Sequence, residues 1–378
     1  MSSTQMATVC TGRNKIDQIR QELGWARRAL VRRWLGQSAE PDEWQALSAY
    51  GGLVHQAWLQ RPLAPQIVSD VWHSGHFNRT SSLPPFFTPF RREREASSHH
   101  YGHDIQIKRH AGLPLVGQPL PFLLEHGLKV SREAQFETPR GWSRGGYLCM
   151  GELRAQWLRE RFDCPAHAIG PWILYARSLL EADEISTQRQ NLGRCLLVVL
   201  AHSWDQVERH MDLQACITTV QQTAREYNYT QVIWLRHWLD PTDLPLPLHW
   251  LQACNGHRSN PWFLDSLRTL IELSDGLISN AFGTHVGYAA ALGKELYWIP
   301  DAAEEDRSRL APAQAFRARR EWEERTALSA ELQKILQQHG HHCDSNAPLR
   351  ALLNPFWGFD RQRSPSELRK ILCPQSTP

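Results

Sequence analysis

Residues 279–294 have the sequence SNAFGTHVGYAAALGK, which is the most informative segment of the chain for predicting its fold. It begins at the end of a strand predicted over 275–279, and it leads into a predicted helix at about 284–292. Gly283 leaves the backbone of the turn open to a ligand, and the first amides of the helix lack partners in its own turn. The stretch therefore predicts either a phosphate-binding site at the end of a parallel strand or an ordinary strand-to-helix turn.

The same alternation of strands and helices continues on both sides of this stretch. The run 195–201 is continuously apolar and has strand length, which is typical of a strand buried on both faces, and 231–235, 275–279 and 295–299 are predicted as three further strands. Helical periodicity separates them at 205–226, 262–274 and 284–292. The repeated strand-helix-strand unit predicts an α/β fold with a doubly wound parallel sheet over residues 190–300.

A second group of strands is expected nearer the N-terminus. The apolar runs 121–124, 146–150 and 166–169 have strand length, and a helix at 151–162 joins the last two. Amphipathic helices are predicted at 14–35 and 41–60, and residues 61–100 show no regular pattern. Towards the C-terminus we expect a charged helix over 303–338, interrupted near Pro312, and a capped helix over 365–373.

Composition restricts the class of protein. A chain of 378 residues with 42% hydrophobic and 21% charged residues is expected to form two soluble globular domains, which excludes a disordered chain. No apolar run approaches the roughly 20 residues of a membrane span, and the first residues lack a signal sequence, so a cytoplasmic location is expected. The eight Cys form no C-x-x-C pair and are expected to be reduced. A net charge of +3 gives no reason to expect nucleic acid as a partner.

The spacing of the small residues in 279–294 resembles the donor-site element of GT-B glycosyltransferases. In that family a Gly followed by Gly, Ser or Thr is followed, after three residues, by Glu-Ala and later by Gly-x-Pro. Here the corresponding pairs are Gly283-Thr284, Tyr288-Ala289 and Gly293-Lys294. Tyr288 replaces the usual Glu, and Glu295 replaces the usual Pro.

The resemblance extends over residues 190–375, and more loosely over 102–175. Its other elements are the pair Ser279-Asn280, the segments 196–203 and 255–258, and the tail 354–370, which resembles enzymes of bacterial surface-polysaccharide biosynthesis. It implies two Rossmann-like domains that face each other across a cleft. Residues 1–65 would be a helical extension, 66–185 the acceptor domain and 186–378 the donor domain, with the last helix crossing back.

The resemblance also implies where donor and acceptor bind. Helix amides and polar or basic side chains of the C-terminal domain would hold the nucleotide donor, and the candidates are Ser203, Arg236, His237, Arg258, Ser279, Asn280, Gly283, Thr284, His285 and Tyr288. If the reaction inverts, a base on the N-terminal wall deprotonates the acceptor, and the candidates are His126, Asp104 and Glu125. The family typically uses no metal, and the sequence contains no Asp-x-Asp. The nucleotide-sugar is then a co-substrate, and no cofactor is expected.

The implied activity is transfer of a sugar from a nucleotide-diphosphate donor to a surface glycan or a lipid-linked acceptor. Two alternatives stay open: a nucleotide-sugar epimerase of the same fold, and an inactive protein that binds nucleotide or glycan. The His-rich runs 99–104 and 339–344 lack the paired spacing of a structural zinc site. Helix 14–35 carries five Arg beside an apolar face, which predicts either a packed helix or peripheral contact with an anionic membrane at the inner face.

Overall fold

The computed structural model describes residues 100–113, 120–134, 136–202, 207–237, 240–241, 243–255, 263–300 and 304–373. The predicted extension 1–65, with its helices at 14–35 and 41–60, lies outside these residues. The helices are α1 (His103–His110), α2 (Glu152–Phe162), α3 (Ala182–Leu192), α4 (Leu213–Glu226), α5 (Phe263–Leu273), α6 (Thr284–Ala291), α7 (Pro312–His339), α8 (Ala347–Trp357) and α9 (Pro365–Leu372). Short 3₁₀ turns span His100–Gly102 and Trp172–Leu174.

Two parallel sheets form the α/β framework. The first contains β1 (Phe122–Leu124), β2 (Gly146–Cys149) and β3 (Ala166–Ala168). The second contains β4 (Cys195–Val199), β6 (Gln231–Leu235), β7 (Leu251–Ala253), β8 (Gly276–Ser279) and β9 (Glu295–Trp298). A separate antiparallel ribbon joins β5 (Glu208–His210) to β10 (Glu304–Asp306).

The strand order of the second sheet determines where a ligand can bind. The order is β7-β6-β4-β8-β9, so the chain moves outward from β4 in one direction and then returns to build the other half. Numbered within the sheet this is 3-2-1-4-5, the order of the Rossmann fold. The switch point lies between β4 and β8, and ligands of such sheets bind at the carboxyl ends of the strands there. The expectation of a doubly wound parallel sheet over 190–300 is confirmed.

One continuous apolar core connects the two sheets. It includes Phe122 and Leu148 of the first sheet, Leu197 and Ile233 of the second, and Trp357 of α8. The C-terminal helices complete this core because α8 packs on α2 and α7, and α9 packs on α1. Among the described residues, no helix is both long and apolar enough to cross a membrane.

A buried carboxylate also ties the first part of the chain to the second. Asp265 of α5 is fully buried and accepts hydrogen bonds from the Arg109 side chain, at 2.7 Å, and from the Arg177 amide, at 2.8 Å. Gln106 of α1 donates to the same carboxylate at 3.3 Å. Since each of these donors precedes β4 in the chain, α5 fixes the segments around α1 and the turn 172–174 against the second sheet.

Several predicted elements have different bounds in the structure. The helix predicted for 205–226 begins only at Leu213, because residues 208–210 pair with 304–306 as the β5–β10 ribbon. The long charged helix is not interrupted at Pro312, which is its first residue and needs no amide donor there. Helices α1, α3 and α8 and strand β7 were not predicted.

Candidate functional site

A cavity of about 800 Å³ lies at the carboxyl edge of the second sheet. Its wall includes Val199–His202 after β4, Leu235–His237 after β6 and Ala281–His285 after β8. The residues from His126 to Lys129 that follow β1 form another side, and the first half of α7 lines it as well. The cavity therefore occupies the switch-point position at which doubly wound sheets bind their ligands.

The start of helix α6 opens onto this cavity. Gly283 is the N-cap in an extended conformation with φ −113°, and Thr284 and His285 begin the helix. The amides of Thr284 and His285 form no hydrogen bond with any described residue, whereas the Val286 amide donates to the Gly283 carbonyl at 3.0 Å. Two helix amides thus remain for a ligand, as the sequence predicted.

His285 does not project into the cavity as a cation. Its Nε2 lies 2.7 Å from the Ser279 hydroxyl, and burial lowers the pKa of His285 to about 3, so the ring is neutral at physiological pH. A Cβ atom at position 283 would lie 2.6 Å from its Cε1, which shows that the ring folds back over Gly283. His285 lines the cavity and stays a predicted phosphate contact, and its ring also holds the turn through the hydrogen bond to Ser279.

The hydroxyl of Thr284 joins α6 to the loop that follows β1. Its Oγ1 accepts a hydrogen bond from the Leu128 amide at 3.0 Å, and its carbonyl accepts one from the Trp357 indole at 3.2 Å. These contacts place His126 and Gly127 directly beside the helix start. The Thr284 side chain therefore holds the wall of the cavity, leaving its backbone amide for the ligand.

The three predicted catalytic residues occupy different environments. His126 lines the cavity, and its ring stacks on Tyr101 with 5.2 Å between centroids. Asp104 is fully buried in α1, and Glu125 is buried behind the cavity wall with its Oε2 accepting from the Met150 amide at 2.8 Å. Burial raises the pKa of Glu125 to about 7. Of these three residues His126 is the one that faces the cavity, so Asp104 and Glu125 are not placed to accept a proton from an acceptor there.

The two basic candidates after β6 are both on the cavity wall, and Arg236 is engaged with the protein. Its guanidinium donates to the carbonyls of Asp240 and Pro241, which closes the loop that follows the strand. His237 stacks on His202 with 4.0 Å between centroids and 5° between planes, so the ends of β4 and β6 carry a paired aromatic surface. His237 remains a candidate for ligand contact, whereas Arg236 holds its own loop.

The remaining described donor-site candidates contact the ends of the strands or line the cavity. The Asn280 side chain accepts from the Ala201 amide at 2.8 Å, across the switch point between β8 and β4. Tyr288 is buried, and its side chain also lines the cavity. Ser203 and Arg258 lie outside the described residues. Among the residues that the structure does describe, no group of three His, Cys, Asp or Glu is arranged to hold a metal ion.

The first half of helix α7 forms another part of the cavity wall. Glu321 accepts from the amides of Val130 and Ser131 at 3.0 and 2.9 Å, and from Arg325 at 2.8 Å. Arg325 also donates to the carbonyls of Leu128 and Phe282. The loop after β1, the turn after β8 and α7 are therefore connected through charged hydrogen bonds.

Some cavity residues were missed in the sequence. Lys129 is a single lysine without a motif, so no pattern could have indicated it. His103 and Tyr101 belong to the run 99–104, of which only Asp104 was predicted to belong to the site. Tyr101 has φ +59°, in the left-handed region that is unfavourable for a non-glycine residue, and its ring packs between His126 and Phe263. Backbone strain of this kind is not visible in a sequence.

Comparisons with known proteins do not assign the chain to a family. No protein-family model matches it, and no curated protein is significantly similar to it. We therefore infer the function from the geometry of the cavity and the motif at the start of α6.

Proposed function

We propose that the chain is a glycosyltransferase of the GT-B type, which moves a sugar from a nucleotide-diphosphate donor to an acceptor hydroxyl. The observation that carries the proposal is the cavity of about 800 Å³ at the switch point of a 3-2-1-4-5 sheet, onto which the first amides of α6 open. A helix start favours phosphate groups through its unpaired amides and its positive dipole end. The volume is in the range of small-molecule sites.

The spacing Gly283-Thr284, Tyr288-Ala289 and Gly293-Lys294 connects this geometry with sugar nucleotides, since it resembles the donor element of these enzymes. In the proposed complex the phosphates lie against the amides of Thr284 and His285. The flat pair formed by His202 and His237 is suited to stacking against the nucleobase. The acceptor, a surface glycan or a lipid-linked glycan, would approach from the side of residues 66–185.

In the proposed reaction the acceptor oxygen bonds to the anomeric carbon of the sugar while the bond from that carbon to the β-phosphate oxygen breaks. The acceptor proton passes to a base, and the nucleoside diphosphate leaves with the electron pair. For an inverting enzyme His126 is the base that we propose, because it lines the cavity at the loop next to α6. The leaving group is stabilised by helix amides and cationic side chains, so no step requires a metal ion.

An inactive nucleotide-binding protein is the second candidate. Tyr288 stands where the resembled family has Glu, and its phenol is buried in the cavity wall. A phenol cannot replace a carboxylate as a strong acceptor for the hydroxyls of the donor. This single substitution would leave the phosphate-binding site intact while weakening the binding of the ribose or the sugar of the donor.

A thermal-shift panel of UDP-, GDP-, CMP- and dTDP-sugars tests the proposal, because a ligand that binds the folded state raises the apparent stability. With the nucleotide-sugar that binds, a glycan acceptor should release free nucleoside diphosphate, and EDTA should leave the rate unchanged. Conversion of the sugar without acceptor would instead identify an epimerase. Binding without turnover would identify the inactive protein, and stabilisation by none of the four classes would contradict nucleotide-sugar binding altogether.

Membrane association is a separate proposal, carried by the five Arg of residues 14–35, which lie outside the described residues. A basic amphipathic helix binds anionic lipid surfaces through charge and apolar contact. The full chain should sediment with phosphatidylserine vesicles at low salt and dissociate as salt increases, and neutral phosphatidylcholine vesicles serve as the control. Absence of binding to anionic vesicles at low salt would contradict this proposal.

A further inference from the structure

Most of the cationic side chains on the cavity wall already have partners within the protein. Arg325 donates to Glu321 and to two backbone carbonyls, and Arg236 donates to the carbonyls of its own loop. Arg209 forms an ion pair with Glu305 at 2.7 Å and donates to the His202 carbonyl. These three arginines hold the loops around the cavity, so the positive charge for an anionic ligand has to come from other residues.

Two cationic side chains of the wall, Lys129 and Arg317, form no hydrogen bond or ion pair with any described residue, and of these Arg317 is exposed whereas Lys129 is partly buried. It lines the cavity, and burial of its ammonium group lowers the pKa of Lys129. Glu321 and Glu137 both attract its charge, and Glu321 already accepts hydrogen bonds from two backbone amides and from Arg325. Lys129 is partly exposed at the cavity, and an anion bound there would supply the hydrogen-bonded counter-charge that its ammonium group lacks among the described residues.

Lys129 and the start of α6 line the same cavity, and the segment before the lysine contacts the helix start. The residue before the lysine, Leu128, donates its amide to the Thr284 hydroxyl at 3.0 Å. Thr284 and His285 are the residues whose own amides form no hydrogen bond with described residues. A lysine and two helix amides therefore line the same cavity, and each of the two features favours an anion independently.

We propose that Lys129, together with the amides of Thr284 and His285, binds the phosphate groups of a diphosphate-containing ligand. The lysine neutralises charge from the side of the first sheet, and the helix amides do so from the side of the second sheet. That the ligand is a nucleoside diphosphate rests on the proposed function. The anion site itself rests only on the cavity, the lysine and the helix start.

The test is calorimetric titration of the full chain with inorganic pyrophosphate and, separately, with UDP and GDP. Lys129→Met should weaken pyrophosphate binding by about ten- to a hundredfold, the effect expected for a hydrogen bond to a charged group. Lys129→Arg keeps the charge and should retain most of the affinity. Lys334→Met is the matched control, because Lys334 is an exposed lysine of α7 that does not line the cavity.

The outcomes separate this inference from the proposed function. If the wild type binds UDP or GDP and Lys129→Met binds it equally well, the lysine site is wrong and nucleotide binding stands. If pyrophosphate binds in a Lys129-dependent way while no nucleotide or nucleotide-sugar binds, the anion site stands and the transferase proposal fails. Absence of any pyrophosphate binding by the wild type overturns the inference. If circular dichroism shows that Lys129→Met does not fold, the pyrophosphate affinities of Lys129→Gln and Lys129→Arg are compared instead and lead to the same conclusions.

Discussion

The buried carboxyl group of Glu125 should make the stability of the protein depend on pH. Its carboxyl is 5% exposed, one oxygen accepts from the Met150 amide, and the other forms no hydrogen bond with described residues. Burial raises the pKa of Glu125 to about 7 from 4.5. Between these values the unfolded chain has lost the proton and the folded chain still holds it, so stability decreases as the pH increases.

Glu125→Gln should therefore become more stable relative to the wild type as the pH increases from 4.5 to 7, by about 3 kcal/mol in total. The amide oxygen of Gln can still accept from the Met150 amide, so little else changes at this position. Urea denaturation of both proteins at several pH values measures the difference. Glu133→Gln, which changes an exposed carboxylate, is the matched control. A pH-independent difference for Glu125→Gln would mean that this carboxyl is not held protonated.

Position 283 requires glycine because the imidazole ring of His285 occupies the space that a side chain would need. Its φ of −113° suits any residue, but a Cβ atom would lie 2.6 Å from His285 Cε1. Gly283→Ala should displace the imidazole and break its hydrogen bond to Ser279, at a cost of about 1–2 kcal/mol in unfolding free energy. In a His285→Ala background the same substitution should cost under about 0.5 kcal/mol.

A double-mutant cycle by chemical denaturation measures this coupling. Equal costs in the two backgrounds would show that the imidazole does not restrict position 283. The sequence predicted the turn and the helix start but assigned His285 to the ligand. A hydrogen bond between Ser279 and a ring six residues later depends on the three-dimensional path of the turn, and neither spacing nor residue type indicates it.

Between elements, the single hydrogen bond from Leu128 to Thr284 connects the loop after β1 to α6. Thr284→Val keeps the shape of the side chain but leaves the Leu128 amide without its acceptor, which should lower the unfolding free energy by about 1–3 kcal/mol. Thr284→Ser keeps the hydroxyl and should cost less. Hydrogen exchange at Leu128 provides the local measurement, because its protection should decrease in the Val variant and persist in the Ser variant. Unchanged protection in both would show that another group satisfies this amide.

The elements that the sequence predicted are those with a local signal. The apolar runs of β4, β6, β8 and β9 were each identified within about two residues, since strands buried on both faces are continuously apolar. The ribbon strand β5 has the polar sequence Glu-Arg-His and pairs with β10, about a hundred residues later. Such a strand is determined by its partner, and its sequence was therefore predicted as part of a helix.

Helix α8 likewise could not be predicted from its own sequence. It contains Pro355, which argues locally against a helix, yet Leu349, Leu353 and Trp357 are fully buried on one side of it. Tertiary packing compensates for the unfavourable residue: a Cβ atom at Gly287 of α6 would lie 2.1 Å from the Trp357 ring, so these two helices are in close contact. The stability of α8 comes from this burial and could not be read from its propensity.

At the scale of the whole molecule, the C-terminal segment connects the two sheets. The amide of Arg363 donates to the Tyr175 hydroxyl at 2.9 Å, and the Arg369 side chain donates to the Gly112 carbonyl at 2.8 Å. Leu368 is fully buried in α9, which packs on α1. Because the apolar core is continuous from the first sheet to the second, a defect under α9 should affect both sheets.

Leu368→Ala should lower the unfolding free energy by about 2–5 kcal/mol, the cost of removing a fully buried leucine side chain. Lys370→Ala, on the exposed side of the same helix, should change it by less than about 0.5 kcal/mol. Hydrogen exchange should show protection decreasing together in β2 and in β8, because the shared core unfolds as one cooperative unit. Loss of protection confined to β2, with β8 unchanged, would show instead that the two sheets unfold independently of each other.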